Sequence, residues 1–162
     1  MSNFYDAVIV GGGPAGLSAA IYMARARFRV LVIEKEKMGG QITITSEVVN
    51  YPGVFSTNGE KLTQEMVRQA KAFGAEFLTA TVTSLDLEGD YKTVHTDHGD
   101  FVTLGVVYAA GAHPRLAGFT GESDFRGHGV AYCATCDGEF FTGKDIFVIG
   151  GGYAAVEEAL FL

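Results

Sequence analysis

Val10-Gly11-Gly12-Gly13-Pro14-Ala15-Gly16 decides the fold, because it follows a β-branched run from Tyr5 to Val10 and opens a small-residue helical pattern from Pro14 to Arg25. The glycines have separate tasks. Gly11 allows the tight turn, Gly13 lets the backbone approach a pyrophosphate with no Cβ in the way, and Gly16 lets the helix sit close to the strand. The helix start after Pro14, from Ala15 on, offers unpaired N–H groups and partial positive charge to phosphates. A second strand is expected from Arg29 to Glu34. Glu34, at its end, can accept two hydrogen bonds from ribose hydroxyls, which disfavours a 2′-phosphate there. Strand, turn, helix and strand in this order require a parallel sheet with a crossover helix packed on it. A lone GxGxxG is weak, since glycine turns often only join a strand to a helix. The acid in register after the second strand makes this one a dinucleotide site.

Working outward, Gly39 to Tyr51 is rich in Thr, Gly and Asn and reads as an irregular loop suited to lining a ligand. Thr57-Asn58-Gly59-Glu60 has capping-box spacing before Leu62, Met66, Ala70 and Phe73, which predicts a helix from about Asn58 to Phe73. Three extended runs follow, Glu76 to Leu87, Tyr91 to Asp97 and Phe101 to Tyr108, read as an antiparallel meander. Gly111 to Gly129 looks like a domain connection, so residues 1–113 are expected as one domain and 114–162 as the start of another. Near the end the opening pattern returns: a strand at Ile146 to Ile149, a turn at Gly150 to Gly152 and a helix from Ala154 to Leu162. Ala155 stands where the third glycine would be, and a small residue there still permits close packing. Two such motifs imply two nucleotides, although a strand-turn-helix without a ligand is the alternative for the second. No further strand follows it, so the residue that would tell NADH from NADPH is absent.

With 162 residues, 48% hydrophobic and 19% charged, the chain can bury a core and reads as a soluble globular protein. Its net charge of −7 and lack of a dense Lys/Arg run argue against nucleic acid or an anionic membrane as partner. The apolar run Ala7 to Val10 suits a buried strand and not a signal peptide, and no segment is long enough to span a bilayer. A cytoplasmic location is expected. There, two cysteines are catalytic or metal-binding more often than a structural staple.

Those two lie in Cys133-Ala134-Thr135-Cys136-Asp137, a spacing that lets the sulfurs form a small, reducible disulfide ring, with Asp137 placed to move a proton. A zinc half-site and a pair of inert buried thiols are the alternatives. Zinc would need two more ligands, and His95, His98, His113, His128 and carboxylates are what the chain offers, with no second CxxC; no metal is expected. His95 and His98 are read as surface residues.

Taken together, Gly11 to Gly16, Gly39-Gly40-Gln41 with Glu47, Asn50, Tyr51, Pro52 and Gly53, Tyr132 to Gly138, and Gly150-Gly151-Gly152 with Ala155 to Leu160 resemble the low-molecular-weight thioredoxin reductases. The resemblance covers essentially the whole chain. It implies an α/β flavoprotein: a Rossmann-like FAD domain with a parallel sheet and a β-meander, then the start of a second Rossmann-like nucleotide domain. It implies FAD on Gly11, Gly13, Pro14, Ala15, Gly16 and Glu34, with Gly39, Gly40, Gln41 and Asn50 beside the flavin and Val82 and Gly111 also in contact. NADPH or NADH would sit on Gly150, Gly152 and Ala155. Cys136 would face the flavin, Cys133 would exchange with a thioredoxin or similar protein disulfide, and Asp137 would be the acid-base residue. A homodimer is implied as well. Relatives with these motifs include the flavoprotein subunit of alkyl hydroperoxide reductase and ferredoxin-linked flavin reductases, but the Ala-Thr pair between the cysteines favours the thioredoxin reductases. Two departures stand out: Ala109-Ala110-Gly111-Ala112 replaces Ala-Thr-Gly-Ala, and Tyr153-Ala154 replaces Asn-Thr. Family members run to about twice this length, so a truncated, non-catalytic FAD-binding module is the competing expectation.

Overall fold

The computed structural model describes residues 3–162, which fall into two compact units, one ending at Gly111 and the other running Ala112–Leu162. The first holds β1 (Phe4–Val10), α1 (Pro14–Arg25), β2 (Val30–Glu34), α2 (Gly59–Ala72), β3 (Glu76–Thr79), β4 (Val82–Asp86), β5 (Lys92–Thr96) and β6 (Gly99–Tyr108). They make one six-stranded sheet in the order β3-β2-β1-β6-β5-β4. The first four strands of that order run parallel, with Val8 opposite both Leu31 and Val106, and β6, β5 and β4 are antiparallel. β1 is a continuous apolar run because both of its faces are covered: Val8 and Ile9 are fully buried.

The run Glu76 to Leu87 is not one strand of a meander, as its composition suggests, but two strands at opposite ends of the sheet order. Only Ala80 and Thr81 join them. Six strands laid flat would separate the outer two by about 24 Å, whereas three backbone steps span at most about 11 Å. The sheet must therefore coil until its edges meet. Tyr5, Val8, Val10, Leu31, Ile33, Ala80 and Val94 fill the space inside. On the outer face Ile9, Val30 and Val32 pack under Ala20 and Ala24 of α1, whose small side chains allow the close approach. Leu17 joins Val48, Leu62 and Met66 in a third cluster that seats α2.

α2 carries the expected apolar stripe, Leu62, Met66 and Ala70, but its cap differs from the capping box. Asn58, not Thr57, is the capping residue: Asn58 Oδ1 accepts the Lys61 N–H at 2.8 Å. Thr57 is committed elsewhere, since its backbone bridges Val48 in both directions.

The second unit contains α3 (Ala134–Asp137), a 3-10 turn at Gly138–Phe141 and α4 (Tyr153–Phe161). The strand expected at Ile146 to Ile149 does not form. Among the described residues it has no ladder partner, and all four side chains are exposed. A strand is a property of its pairing as much as of its own β-branched residues.

Candidate functional site

The first glycine turn is built from the inside. At Gly11 φ is +110°, and a Cβ would lie 2.2 Å from the Ala109 carbonyl oxygen; at Gly16 it would lie 2.0 Å from the Gly11 oxygen. Neither position admits a side chain. Gly12, to which the sequence assigns no task, is also crowded, though by side chains: a Cβ would meet Met38 Sδ at 2.5 Å and Glu34 Cβ at 3.0 Å, and its N–H donates to Glu34 Oε2 at 2.8 Å. That bond anchors the Glu34 carboxylate at the edge of the turn, where Oε1 also accepts the Glu36 N–H at 3.3 Å.

Gly13 is the exception. Its φ of −77° is open to any residue, and a Cβ there would find only the Gly40 Cα, at 3.8 Å. Nothing inside the protein requires glycine at this position. The space its missing side chain leaves is at the N-terminus of α1, beside Pro14 and the exposed Ala15, where unpaired N–H groups gather. This cradle is what a pyrophosphate needs.

The loop after β2 is stitched to the turn. Gly39 N–H donates to the Gly12 carbonyl at 2.8 Å, and Gly40, at φ +68°, would bring a Cβ within 2.9 Å of the Gly13 Cα. The 3-10 turn Gln41–Ile44 follows, with Gln41 exposed and Asn50 exposed further along. Gly59 is a second glycine the sequence left without a role: a Cβ would overlap the Ile42 oxygen at 1.7 Å, so α2 must present a bare backbone to this loop. Ala80 N–H donates to the Glu34 carbonyl at 3.0 Å, which brings the start of β4, and so Val82, next to the acid; the Val82 side chain itself packs into the coil. Ala109 N–H donates to the Val10 carbonyl at 2.8 Å, which holds the chain after β6 at the glycine turn, two residues before Gly111. Gly11, Gly13, Gly16, Glu34, Gly39, Gly40 and Val82 are thus gathered at one end of the parallel strands.

In the second unit Cys133 and Cys136 are disulfide-bonded, with Cα atoms 5.3 Å apart. Cys133 is the N-cap of α3, and its carbonyl accepts the N–H groups of Cys136 (3.3 Å) and Asp137 (3.1 Å). Burial pushes the Asp137 carboxyl above the usual carboxylate range, so it holds a proton more readily than a free aspartate. Thr135 Oγ1 lies 3.4 Å from Cys133 Sγ. Two residues that sequence reading gave no role steady the approach to this turn. Glu122, only 3% exposed, accepts the N–H groups of Ala117 (2.9 Å) and Gly118 (2.6 Å) and the hydroxyl of Tyr132 (2.9 Å). The Ala117 N–H foremost, then Gly118 and Tyr132, hold its carboxyl below the ordinary glutamate range against the opposing effect of desolvation. An acid inside a glycine-rich loop looks solvated in sequence, and only the closed loop shows it buried.

The second glycine turn repeats the first locally. Gly150 has φ +143°, a Cβ on it would sit 3.2 Å from the Ala155 Cβ, and Gly152 caps α4 with the extended backbone that Gly13 gives α1. α4 packs against α3, and Leu162 reaches Gly138. Among the described residues no group of three or more His, Cys, Asp and Glu is placed to hold a metal ion, and no helix is long and apolar enough to cross a membrane.

Thioredoxin reductases from Peptoclostridium acidaminophilum and Bacillus subtilis are 48% and 43% identical over 100% and 99% of the chain, and the match covers 52% and 51% of their own lengths. The chain spans about half the length of the curated relatives it matches. The crystal structure of thioredoxin reductase from Streptococcus pyogenes superimposes with a TM-score of 0.94 at 40% identity, over 99% of this chain and 53% of that one. The sequence profile described as pyridine nucleotide-disulphide oxidoreductase matches residues 5–162, and the chain belongs to that family.

Proposed function

We propose that the protein is a flavoprotein disulfide reductase of the thioredoxin reductase type, carrying electrons from reduced nicotinamide through FAD to the Cys133–Cys136 pair and on to thioredoxin or a similar protein disulfide. The observation that carries this reading is the disulfide on a turn whose next residue is an acid, Asp137, whose proton affinity burial raises. The fit of FAD rests on Gly13, whose missing Cβ is required by nothing within the protein. In this reading Gly11, Gly13, Pro14, Ala15 and Gly16 bind the pyrophosphate and Glu34 the ribose. Gly39, Gly40, Gln41, Asn50, Val82 and Gly111 border the rest of the cofactor. When bound, FAD supplies the passage of an electron pair from nicotinamide to a single disulfide. NADPH is favoured over NADH as donor by resemblance alone, with Gly150, Gly152 and Ala155 receiving its phosphates.

The protein's own residues do the thiol chemistry. The Cys133 carbonyl, accepting two N–H groups, keeps the turn closed so that the sulfurs stay within bonding reach. Cys133 exchanges with the substrate disulfide, Cys136 re-forms the ring, and Asp137 gives or takes the proton that each thiolate requires. A cytoplasmic homodimer goes with the same reading.

A second reading is FAD binding without nicotinamide-driven turnover by these 162 residues alone, favoured by the unpaired run Ile146 to Ile149 ahead of the second glycine turn. NADPH-dependent reduction of a thioredoxin disulfide by the purified protein separates the two. Turnover that is lost in Cys133→Ser and Cys136→Ser supports the first, and bound flavin without turnover supports the second. Neither flavin nor turnover overturns both.

A further inference from the structure

We propose that Thr135 is a further catalytic residue of the cysteine turn, its hydroxyl donating to Cys133 Sγ and holding that sulfur as the thiolate once the disulfide is open. The proposal rests on the disulfide-reductase reading above. A disulfide sulfur carries no hydrogen, so at 3.4 Å the Thr135 O–H is the donor and Cys133 Sγ the acceptor. The contact is one-sided. It engages Cys133 and not Cys136, which makes the two sulfurs of one ring chemically unequal.

Thiolates in proteins are ordinarily stabilised by Lys, Arg or protonated His, or by the N-terminus of a helix of useful length. α3 is four residues long, and the charged side chains on α3, the 3-10 turn and α4 are Asp137, Glu139, Glu157 and Glu158, all acids. Their charge opposes a thiolate. A neutral hydroxyl donor is the stabiliser these elements do provide. Ala134, the other residue between the cysteines, is buried, whereas Thr135 is exposed beside the sulfur, where its hydroxyl remains free to turn.

The step it serves is balanced within the protein and its substrate. Cys133 thiolate attacks one sulfur of the substrate disulfide, that S–S bond breaks, a mixed disulfide forms, and the other substrate sulfur leaves with the electron pair as a thiolate that takes up a proton. Cys136 then attacks Cys133 Sγ, which releases the first substrate sulfur and closes the ring. A sulfur with a stabilised thiolate is present in more of its reactive form at neutral pH, so the hydroxyl favours Cys133 as the attacking sulfur.

The test is alkylation by iodoacetamide of the dithiol-reduced protein, followed at each cysteine by mass spectrometry across pH, in wild type, Thr135→Val and Thr135→Ser. Loss of a hydrogen bond to a charged sulfur should raise the midpoint of the Cys133 profile by about one pH unit. The Cys133 rate at neutral pH should fall roughly tenfold in Thr135→Val, with Cys136 unchanged. Thr135→Ser, which keeps the hydroxyl, should stay within about twofold of wild type. An unchanged Cys133 profile in Thr135→Val, or an equal loss in Thr135→Ser, overturns the proposal. Flavin content and thioredoxin turnover of the same wild-type sample test the underlying reading separately. A colourless, inactive protein that still shows the Thr135 effect defeats that reading and leaves the hydroxyl's role standing.

Discussion

Gly13 and Gly16 differ by three positions in one motif, yet substituting each by alanine should have opposite consequences. At Gly16 the new Cβ would lie 2.0 Å from the Gly11 oxygen and 3.2 Å from Ile9 Cγ2. To restore an ordinary separation of about 3.4 Å, α1 would have to part from β1 by roughly 1.4 Å, which opens the best-buried layer of the sheet. Overpacking of this kind against backbone costs about 3 kcal/mol. At Gly13 the Cβ meets only Gly40 Cα at 3.8 Å, an ordinary contact, and the backbone is already in a region open to alanine. The gain from a less flexible unfolded chain, about 0.4–1 kcal/mol, offsets the poorer N-cap, so stability should change by less than about 0.5 kcal/mol. The same Cβ would fill the pyrophosphate cradle. Urea unfolding of the flavin-free proteins, with flavin-to-protein ratios of the proteins as purified, separates the effects: Gly16→Ala should be unstable, and Gly13→Ala stable but colourless. A Gly13→Ala protein that keeps a full complement of flavin, or that is destabilised as much as Gly16→Ala, would refute the cradle.

Substitution of either cysteine should abolish disulfide turnover, but Cys133→Ser should leave flavin reduction by the nicotinamide donor intact, measured by bleaching of the flavin band under anaerobic conditions. Glu122, whose proton affinity is lowered in the folded protein, contributes stability that is fully present above the ordinary glutamate value and is lost as pH falls through the lower folded one. Wild type should therefore lose more of its urea midpoint than Glu122→Gln between about pH 5 and about pH 3; parallel losses would show that the buried carboxylate is not the cause. Titration with NADPH and NADH should give binding weaker than micromolar to these 162 residues, because the run Ile146 to Ile149 ahead of Gly150 forms no strand and α4 leaves Val156 and Leu160 exposed. Micromolar binding of either nucleotide would contradict this.

What was legible in the sequence was local. Gly16 announces itself because its constraint, the Gly11 oxygen, lies five residues back in the chain, and Gly11 is read from the strand-to-helix turn although the oxygen that excludes its side chain belongs to the distant Ala109; the α1 limits follow from Pro14 at the start and the run of small residues behind it. The α2 stripe is likewise a matter of period. The failures share a cause in distant partners. Gly12 is crowded by Met38 and Glu34, and Gly59 must be glycine because of the Ile42 backbone, which no spacing rule reveals. Thr57 loses the cap to Asn58 because Val48 claims its backbone. Glu76 to Leu87 reads as one strand because β-branched residues mark extended chain without saying which neighbour they join. Ile146 to Ile149 has strand composition and no partner, so composition overstated it. The cysteine turn was legible as a motif, whereas the Thr135 contact and the Glu122 anchor appear only once side chains are placed.

The visible absorption spectrum of the purified protein tests the central claim most directly. The account predicts a yellow protein with the two bands of oxidised flavin, whose cofactor, released on denaturation, is FAD in about equimolar amount. A colourless protein that also takes up no FAD when the cofactor is supplied would contradict it.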